Sequence, residues 1–173
     1  MMKIERFRIR KEKDEIIFGV ISDTHIPTRA DHIPAKVFSH FKNVDYIIHA
    51  GDFVSIKAVE ELTEMAPVFG VRGNMDLPEV QEIFPDVAII KVGKMKIGVY
   101  HGSIFPFKNM KVLKELELNC LVHGHTHMPK VKKTKGGFLF VNPGSPTNPI
   151  MSAPSIAILK VKDQIEAKII SLI

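Results

Sequence analysis

Ile16-Ile17-Phe18-Gly19-Val20-Ile21-Ser22-Asp23-Thr24-His25 is an apolar run that passes directly into a polar, ionisable stretch. Neighbouring residues in a strand point to opposite faces, so a run with no polar member has no solvent side. It predicts a strand buried on both faces, as in a parallel sheet covered by helices. The pattern repeats. Val44-Asp45-Tyr46-Ile47-Ile48-His49 ends in Gly51-Asp52, and Val68–Val71 leads into Gly73-Asn74-Met75-Asp76. Two helical segments separate these runs. One covers about Ala35–Phe41, with Pro34 near its first turn. The other follows Ser55, a residue suited to cap a helix, and sets Ile56, Val59, Leu62 and Met65 on one face before Pro67 stops it. The order β-α-β-α-β implies parallel strands joined by right-handed crossovers.

Outward from this half, the spacing predicts a short helix near Pro78–Phe84 and a hairpin of Val87–Val92 with Met95–Tyr100 around Gly93-Lys94. A helix is expected at about Lys108–Leu118, with Asn119 at its C-terminal end. The apolar run Cys120-Leu121-Val122-His123 then reaches Gly124-His125-Thr126-His127. Beyond His127 the chain reads as all-β: Lys130–Thr134, a Gly136-Gly137 turn, Phe138–Asn142, Ile156–Lys162 and Ile165–Leu172. Residues 1–15 alternate weakly at Phe7 and Ile9 and read as either a tail or an extra edge strand; residues 16–173 read as one domain.

A length of 173 residues fits one domain with a sizeable core. With 45% hydrophobic and 25% charged residues, the composition is that of a soluble globular protein. The single Cys120 excludes a disulfide framework, which favours a reducing, cytoplasmic setting. The charged first fifteen residues do not resemble a signal peptide, and no apolar run is long enough to span a bilayer, so no membrane association is expected. A net charge of +5 would steer anionic substrates. Much of the excess lies in the N-terminal tail and in Lys130, Lys132, Lys133 and Lys135, where a solvated surface is a stronger reading than a nucleic-acid patch.

The polar clusters carry the chemistry. Asp23 and His25, Asp52, Asn74, His101, then His125 and His127 each follow the end of an apolar strand. Successive clusters are separated by close to one strand-plus-crossover unit of roughly 30 residues. In an open α/β sheet the carboxyl ends of the strands are where ligands bind. Two carboxylates, an amide and four imidazoles therefore reach one rim, and Gly51, Gly73, Gly102 and Gly124 stand beside them, as loops that must turn sharply require. Imidazole and carboxylate without thiolate suit borderline divalent metals. The set is too large for one tetrahedral zinc site and matches two metals sharing a carboxylate, an arrangement suited to in-line displacement at phosphorus.

Asp-x-His, Gly-Asp, Gly-Asn-x-Asp, His-Gly and Gly-His-x-His, in this order, resemble the calcineurin-like metallophosphoesterase family. His49-Ala50-Gly51-Asp52 and Asn142-Pro143-Gly144-Ser145 resemble its small microbial phosphodiesterase branch. The resemblance runs from about Ile16 to the C-terminus. It implies an α/β fold in four layers, an αββα sandwich of two mixed β-sheets flanked by helices. It also implies that Asp23, His25 and His127 hold one metal, that Asn74, His101 and His125 hold a second, and that Asp52 bridges them. Asp52, Asn74 and His101 would be the catalytic residues. A hydroxide bridging the two metals would be the nucleophile, its pKa lowered by both cations. The resemblance favours Mn²⁺, while the donors also admit Ni²⁺, Fe²⁺, Co²⁺ or Zn²⁺. The implied partner is a small phosphoester substrate; self-association is compatible with the sequence.

The chain departs from the family at one place. Many members carry His after the motif Asn, placed to protonate the leaving group; here that residue is Met75, which cannot donate a proton. Asp76 is expected to orient its neighbours. His49 is expected to pack behind the site, and His123 to be a strand histidine. His32 and His40 read as surface residues, and Arg72 as a structural charge with phosphate binding as the alternative. Two rival functions remain from the sequence: a non-catalytic interaction module, since a retromer scaffold subunit shares the fold without an intact ligand set, and a nuclease using the basic hairpin at Lys130–Lys135.

Overall fold

The computed structural model describes residues 1–103 and 114–173. Its elements are β1 (Ile4–Ile9), β2 (Ile16–Ile21), α1 (Ala35–Phe41), β3 (Tyr46–His49), α2 (Ile56–Thr63), β4 (Val68–Gly70), α3 (Pro78–Ile83), β5 (Val87–Val92), β6 (Met95–Tyr100), β7 (Cys120–Val122), β8 (Lys130–Lys133), β9 (Leu139–Asn142), β10 (Ser155–Val161) and β11 (Ile165–Ser171). They form a six-stranded sheet in the order β1-β5-β6-β7-β9-β8 and a five-stranded sheet in the order β11-β10-β2-β3-β4. Both are mixed. In the smaller sheet β2, β3 and β4 run parallel and β10 lies antiparallel to β2; in the larger, β6, β7 and β9 run parallel while β5 opposes β6 and β8 opposes β9.

The two-faced burial read from Ile16–Ile21 is what builds the layers. Phe18 and Val20 point into the space between the sheets, where they meet Ile90, Ile97, Val99 and Val122 of the larger sheet. Ile21 points the other way and joins Ile47, Val37, Phe41, Ala58, Val59 and Leu62 under the helices. Each such fully buried side chain contributes roughly 1.5–3 kcal/mol of transfer free energy. A third cluster, with Val87, Ile89, Leu118 and Leu121, lies on the outer face of the larger sheet. The fold is the αββα sandwich. The helix expected over Lys108–Leu118 falls mostly on residues 104–113, outside the described residues.

Residues 4–9 are a strand: β1 pairs in parallel with β5, and Phe7 turns inward to meet Phe69 edge-on at 5.1 Å between ring centroids. Pro34 stands at the N-cap of α1, next to the first turn as expected. Two local expectations need correction. Ser55 stands at the N-cap of α2, yet its buried hydroxyl has no hydrogen-bond partner among the described residues; the Ile56 N–H is instead taken by the Glu79 carboxylate at 3.4 Å. The left-handed residue near the end of the expected 108–118 helix is Glu117, with φ 55°, and the Asn119 amide oxygen accepts the Lys96 N–H at 2.8 Å. Among the described residues no helix is long and apolar enough to cross a membrane.

Candidate metal centre

The carboxyl ends of β2, β3, β4, β6 and β7 open onto one edge, and the loops that follow them converge there. These loops are forced into unusual backbone. Asp23, His25, Asp52, His125 and His127 all have positive φ, between 46° and 69°. A side chain in the left-handed region costs energy and persists only where its surroundings hold it. The holders are visible. Asp23 N–H donates to Gly51 O and His25 N–H to Asp52 O, which staples the first loop to the second. The buried Asp76 carboxylate accepts the N–H groups of Asp52, Val54 and Gly73, at 3.1, 2.7 and 2.7 Å. Two of the flanking glycines serve close approach rather than turning: a Cβ on Gly73 would fall on Asp52 Oδ1, and one on Gly124 would fall on Ser22 Oγ.

The side chains gather accordingly. Asp23, His25 and His127 place one ligand atom each within 4.8 Å of one another, and so do Asp23, Asp52 and His101. Asn74 Oδ1 is 3.0 Å from His101 Nε2, and the His125 ring packs edge-on against that of His101 at 5.2 Å. His125 lines the same cavity as His25, Asp52, Asn74 and His127 but belongs to neither tight triplet.

The free atoms are specific. Ser22 Oγ and the His125 N–H occupy Asp23 Oδ2, leaving Oδ1 to face the cluster. The Met75 N–H occupies Asp52 Oδ1, leaving Oδ2 at 3.6 Å from His25 Nε2 and 3.2 Å from His101 Nε2. His101 Nδ1 donates to Ala50 O at 2.8 Å, so Nε2 is the ring atom that faces Asp52 Oδ2 and Asn74 Oδ1, and in the neutral ring it does so with its lone pair. Acceptors facing acceptors require a proton or a cation between them. Asp23 Oδ1 and His25 Nε2 are likewise buried with no hydrogen-bond partner among the described residues. Orphaned inward donor atoms of carboxylate, imidazole and amide type fit hard-to-borderline divalent cations.

The titration pattern agrees. Burial alone would raise the Asp23 carboxyl, but the facing imidazoles of His127 and His25, the charge on His101 and the Ser22 hydroxyl hold it far below the usual carboxylate range. For His101 burial works downward, and Asp52 and Asp23 outweigh it and raise the ring above its ordinary value. Both shifts mark a site whose negative charge calls for positive partners.

Residues 16–164 match the model of the calcineurin-like phosphoesterase superfamily domain. The chain belongs to this superfamily. A curated relative from Methanothermobacter thermautotrophicus, a probable metallophosphoesterase, is 38% identical over 160 residues, covering 90% of this chain and 92% of that one. Among solved structures, an archaeal phosphodiesterase superposes with a TM-score of 0.75 at 26% identity, covering 91% of this chain and all of that one. Vacuolar protein sorting 29 of Cryptosporidium parvum gives 0.76 at 24% identity over 92% of this chain, a likeness of fold.

Within this phosphoesterase chain the other singled-out residues take supporting places. His49 is fully buried, stacked on Phe53 at 3.5 Å, and burial lowers its pKa to about 3. Its Nδ1 accepts the Gly51 N–H, so Nε2 donates to Thr24 Oγ1 at 3.0 Å. This neutral ring props the backbone between Asp23 and Asp52. His123 is lowered by burial and lies beside Tyr100, outside the cluster. The Lys130–Lys133 strand is exposed at a sheet edge and none of its lysines lines the cavity. Sequence reasoning missed Arg29, whose NH1 is 3.5 Å from His127 Nδ1 and donates to Asn148 O at 2.9 Å; its only signal was its position in the loop after Asp-x-His.

Arg72 is a structural charge. It grips Asp86 with two bonds, Nε to Oδ1 at 2.7 Å and NH2 to Oδ2 at 3.0 Å, and so ties the Gly73-Asn74 loop to the start of β5. Arg72→Ala is expected to cost about 1 kcal/mol, discounted for partial exposure, and to lower Tm by roughly 2–4 °C. Burial would raise the Asp86 carboxyl, but the Arg72 bonds outweigh it and hold the folded pKa below the ordinary value. The stabilisation is therefore present above the unfolded pKa of about 3.9 and is lost as pH falls through the folded one. Melting curves of the two proteins should begin to approach each other below about pH 4 and converge once pH has fallen below the folded Asp86 pKa.

Proposed function

We propose that the chain is a metal-dependent phosphodiesterase that holds two divalent cations, with Asp23, His25 and His127 around one and Asn74, His101 and His125 around the other. Asp52 lies between the two groups. The observation that carries this reading is the single free oxygen of Asp52, placed within 3.6 Å of His25 Nε2 and 3.2 Å of His101 Nε2 while its other oxygen is held by a backbone N–H. When bound, such a pair of cations acidifies water and neutralises charge on phosphoryl oxygens.

The protein's own share is orientation. The Ala50 carbonyl fixes which nitrogen of His101 faces inward. Asp76 fixes the Asp52 and Gly73 backbone, and Ser22 fixes Asp23. Such precision matters because a reacting phosphoryl group gains most from partners already in place. Arg29 adds a permanent cation at the rim, suited to an anionic ester. Preference for diesters is supported by the likeness to an archaeal phosphodiesterase; Met75, which offers no proton, favours esters with good leaving groups. Mn²⁺ is favoured by family resemblance.

The test is a panel of phosphodiesters, phosphomonoesters and cyclic nucleotides assayed with added Mn²⁺, Ni²⁺ or Zn²⁺, with metal content per chain measured on the same samples. Close to two metals per chain with diester turnover that chelation abolishes is expected. Turnover that survives exhaustive chelation, or well under two metals with no hydrolysis of any ester, would overturn the proposal and leave a non-catalytic module of the same fold.

A further inference from the structure

The cavity over the candidate metal centre, about 360 Å³, has an unusual border. Met75, Met128, Ile150 and Met151 line it beside His25, Asp52, Asn74 and His127. All four are exposed: Met75 52%, Met128 51%, Ile150 84% and Met151 83%. Large apolar side chains left in water beside a reaction centre mark a binding surface. Their positions are set by the site itself. Met75 follows Asn74 and its N–H is bonded to Asp52. Met128 follows His127. Ile150 and Met151 form the tip of a loop pinned at both ends: Arg29 NH1 donates to Asn148 O at 2.9 Å, and Ser152 Oγ donates to His127 O at 2.8 Å.

We infer that this lip receives the organic group of the substrate and that the group it fits is aromatic and uncharged, an inference that rests on the phosphodiesterase reading above. An ester whose phosphorus lies over Asp52 and Asn74 must project its organic groups past the same border, since these residues and the border line one cavity. Thioethers are flexible and polarisable, and sulfur packs favourably at the edge of an aromatic ring. Arg29, at the same rim, adds a guanidinium, a group that stacks favourably on aromatic faces. A sugar-like group finds few partners there: among the described lining residues the hydroxyl is that of Thr126, whose oxygen already accepts from Asn142 Nδ2 at 2.9 Å and from the Met128 N–H at 3.3 Å and so has only its O–H left to donate. The cavity is at the small end of ligand sites, which fits one ring system and not a nucleic-acid duplex.

The experiment uses 4-nitrophenyl phosphodiesters that share one leaving group and differ in the other ester: methyl, 2,3-dihydroxypropyl or 1-naphthyl. In parallel, 1-naphthylphosphonate, which cannot be hydrolysed, is titrated by its own fluorescence, with methylphosphonate as competitor. With metal-loaded wild type, KM for the naphthyl diester should lie about tenfold below the other two. The double variant Ile150→Ser/Met151→Ser, at exposed positions the fold does not need, should raise the naphthyl KM about tenfold and the methyl KM far less. Equal KM across the series, or a variant that raises every KM alike, overturns the inference. So does a concentration-dependent dimer that the serine pair dissolves, because the lip then belongs to an interface between copies. If no ester is hydrolysed yet the phosphonate binds and the serine pair weakens it, the phosphodiesterase reading fails while the lip stands.

Discussion

Asp52→Asn is expected to lower metal-dependent hydrolysis of an aryl phosphodiester by on the order of 10³-fold while the protein remains folded. The substitution keeps shape and volume. The amide oxygen can still accept the Met75 N–H, so the loop has no cause to move. What disappears is the negative charge on the oxygen between His25 and His101. Several kcal/mol of charge stabilisation depend on that oxygen if it joins two cations, which is the source of the expected factor. A second readout separates chemistry from folding. A ligand that binds only the native state adds about 2.7 kcal/mol at a hundred times its Kd, so wild-type Tm should climb on titration with Mn²⁺. In Asp52→Asn most of that climb should vanish while the Tm in chelator stays near wild type. Full activity together with a full metal-induced Tm rise would remove Asp52 from the centre.

The parts of this arrangement that the sequence showed are those written locally. Ile16–Ile21 declared a strand covered on both sides because it carries no polar residue, and Asp23 and His25 were candidates because they follow that strand directly. The Val87–Tyr100 hairpin was legible from two apolar runs around Gly93-Lys94, and it spans the observed β5 and β6. What stayed hidden is written across the chain. Arg29 holds Asn148 at a separation of 119 residues, and Ser145 Oγ reaches Asp23 O across 122. No periodicity announces such pairs. The sequence marks Asp76 as a residue that orients its neighbours, but nothing near it tells that these are three backbone N–H groups from two loops. Ser55 shows the reverse case: the right residue stands at the right place, yet its buried hydroxyl caps nothing among the described residues, while the adjacent Ile56 N–H goes to Glu79. Local rules thus picked out the candidate residues, and contacts between loops decide how each is aimed.

Met75 is where the second large effect is expected. Its side chain is half exposed at the cavity mouth, one residue past Asn74. A thioether cannot protonate a departing oxygen. Negative charge then builds on that oxygen, and the rate should fall steeply as the leaving-group pKa rises. A missing general acid costs about 10²–10⁴-fold, and the loss is greatest for poor leaving groups. Met75→His should therefore recover part of it for alkyl esters and little for nitrophenyl esters, whose oxygens need no proton. The backbone bond from residue 75 to Asp52 Oδ1 survives the exchange, so the centre itself keeps its geometry. The new imidazole would stand near carboxylates and other imidazoles, so its protonated form matters. Activity toward poor leaving groups should rise in the variant on the acid side of its pKa and decline above it, whereas wild type shows no such limb from residue 75. The measurement is the slope of log kcat/KM against leaving-group pKa for both proteins, taken across pH. A shallow wild-type slope that Met75→His leaves unchanged, with chemistry rate-limiting, would show that another residue already delivers the proton; Met75 would then matter only as part of the apolar lip.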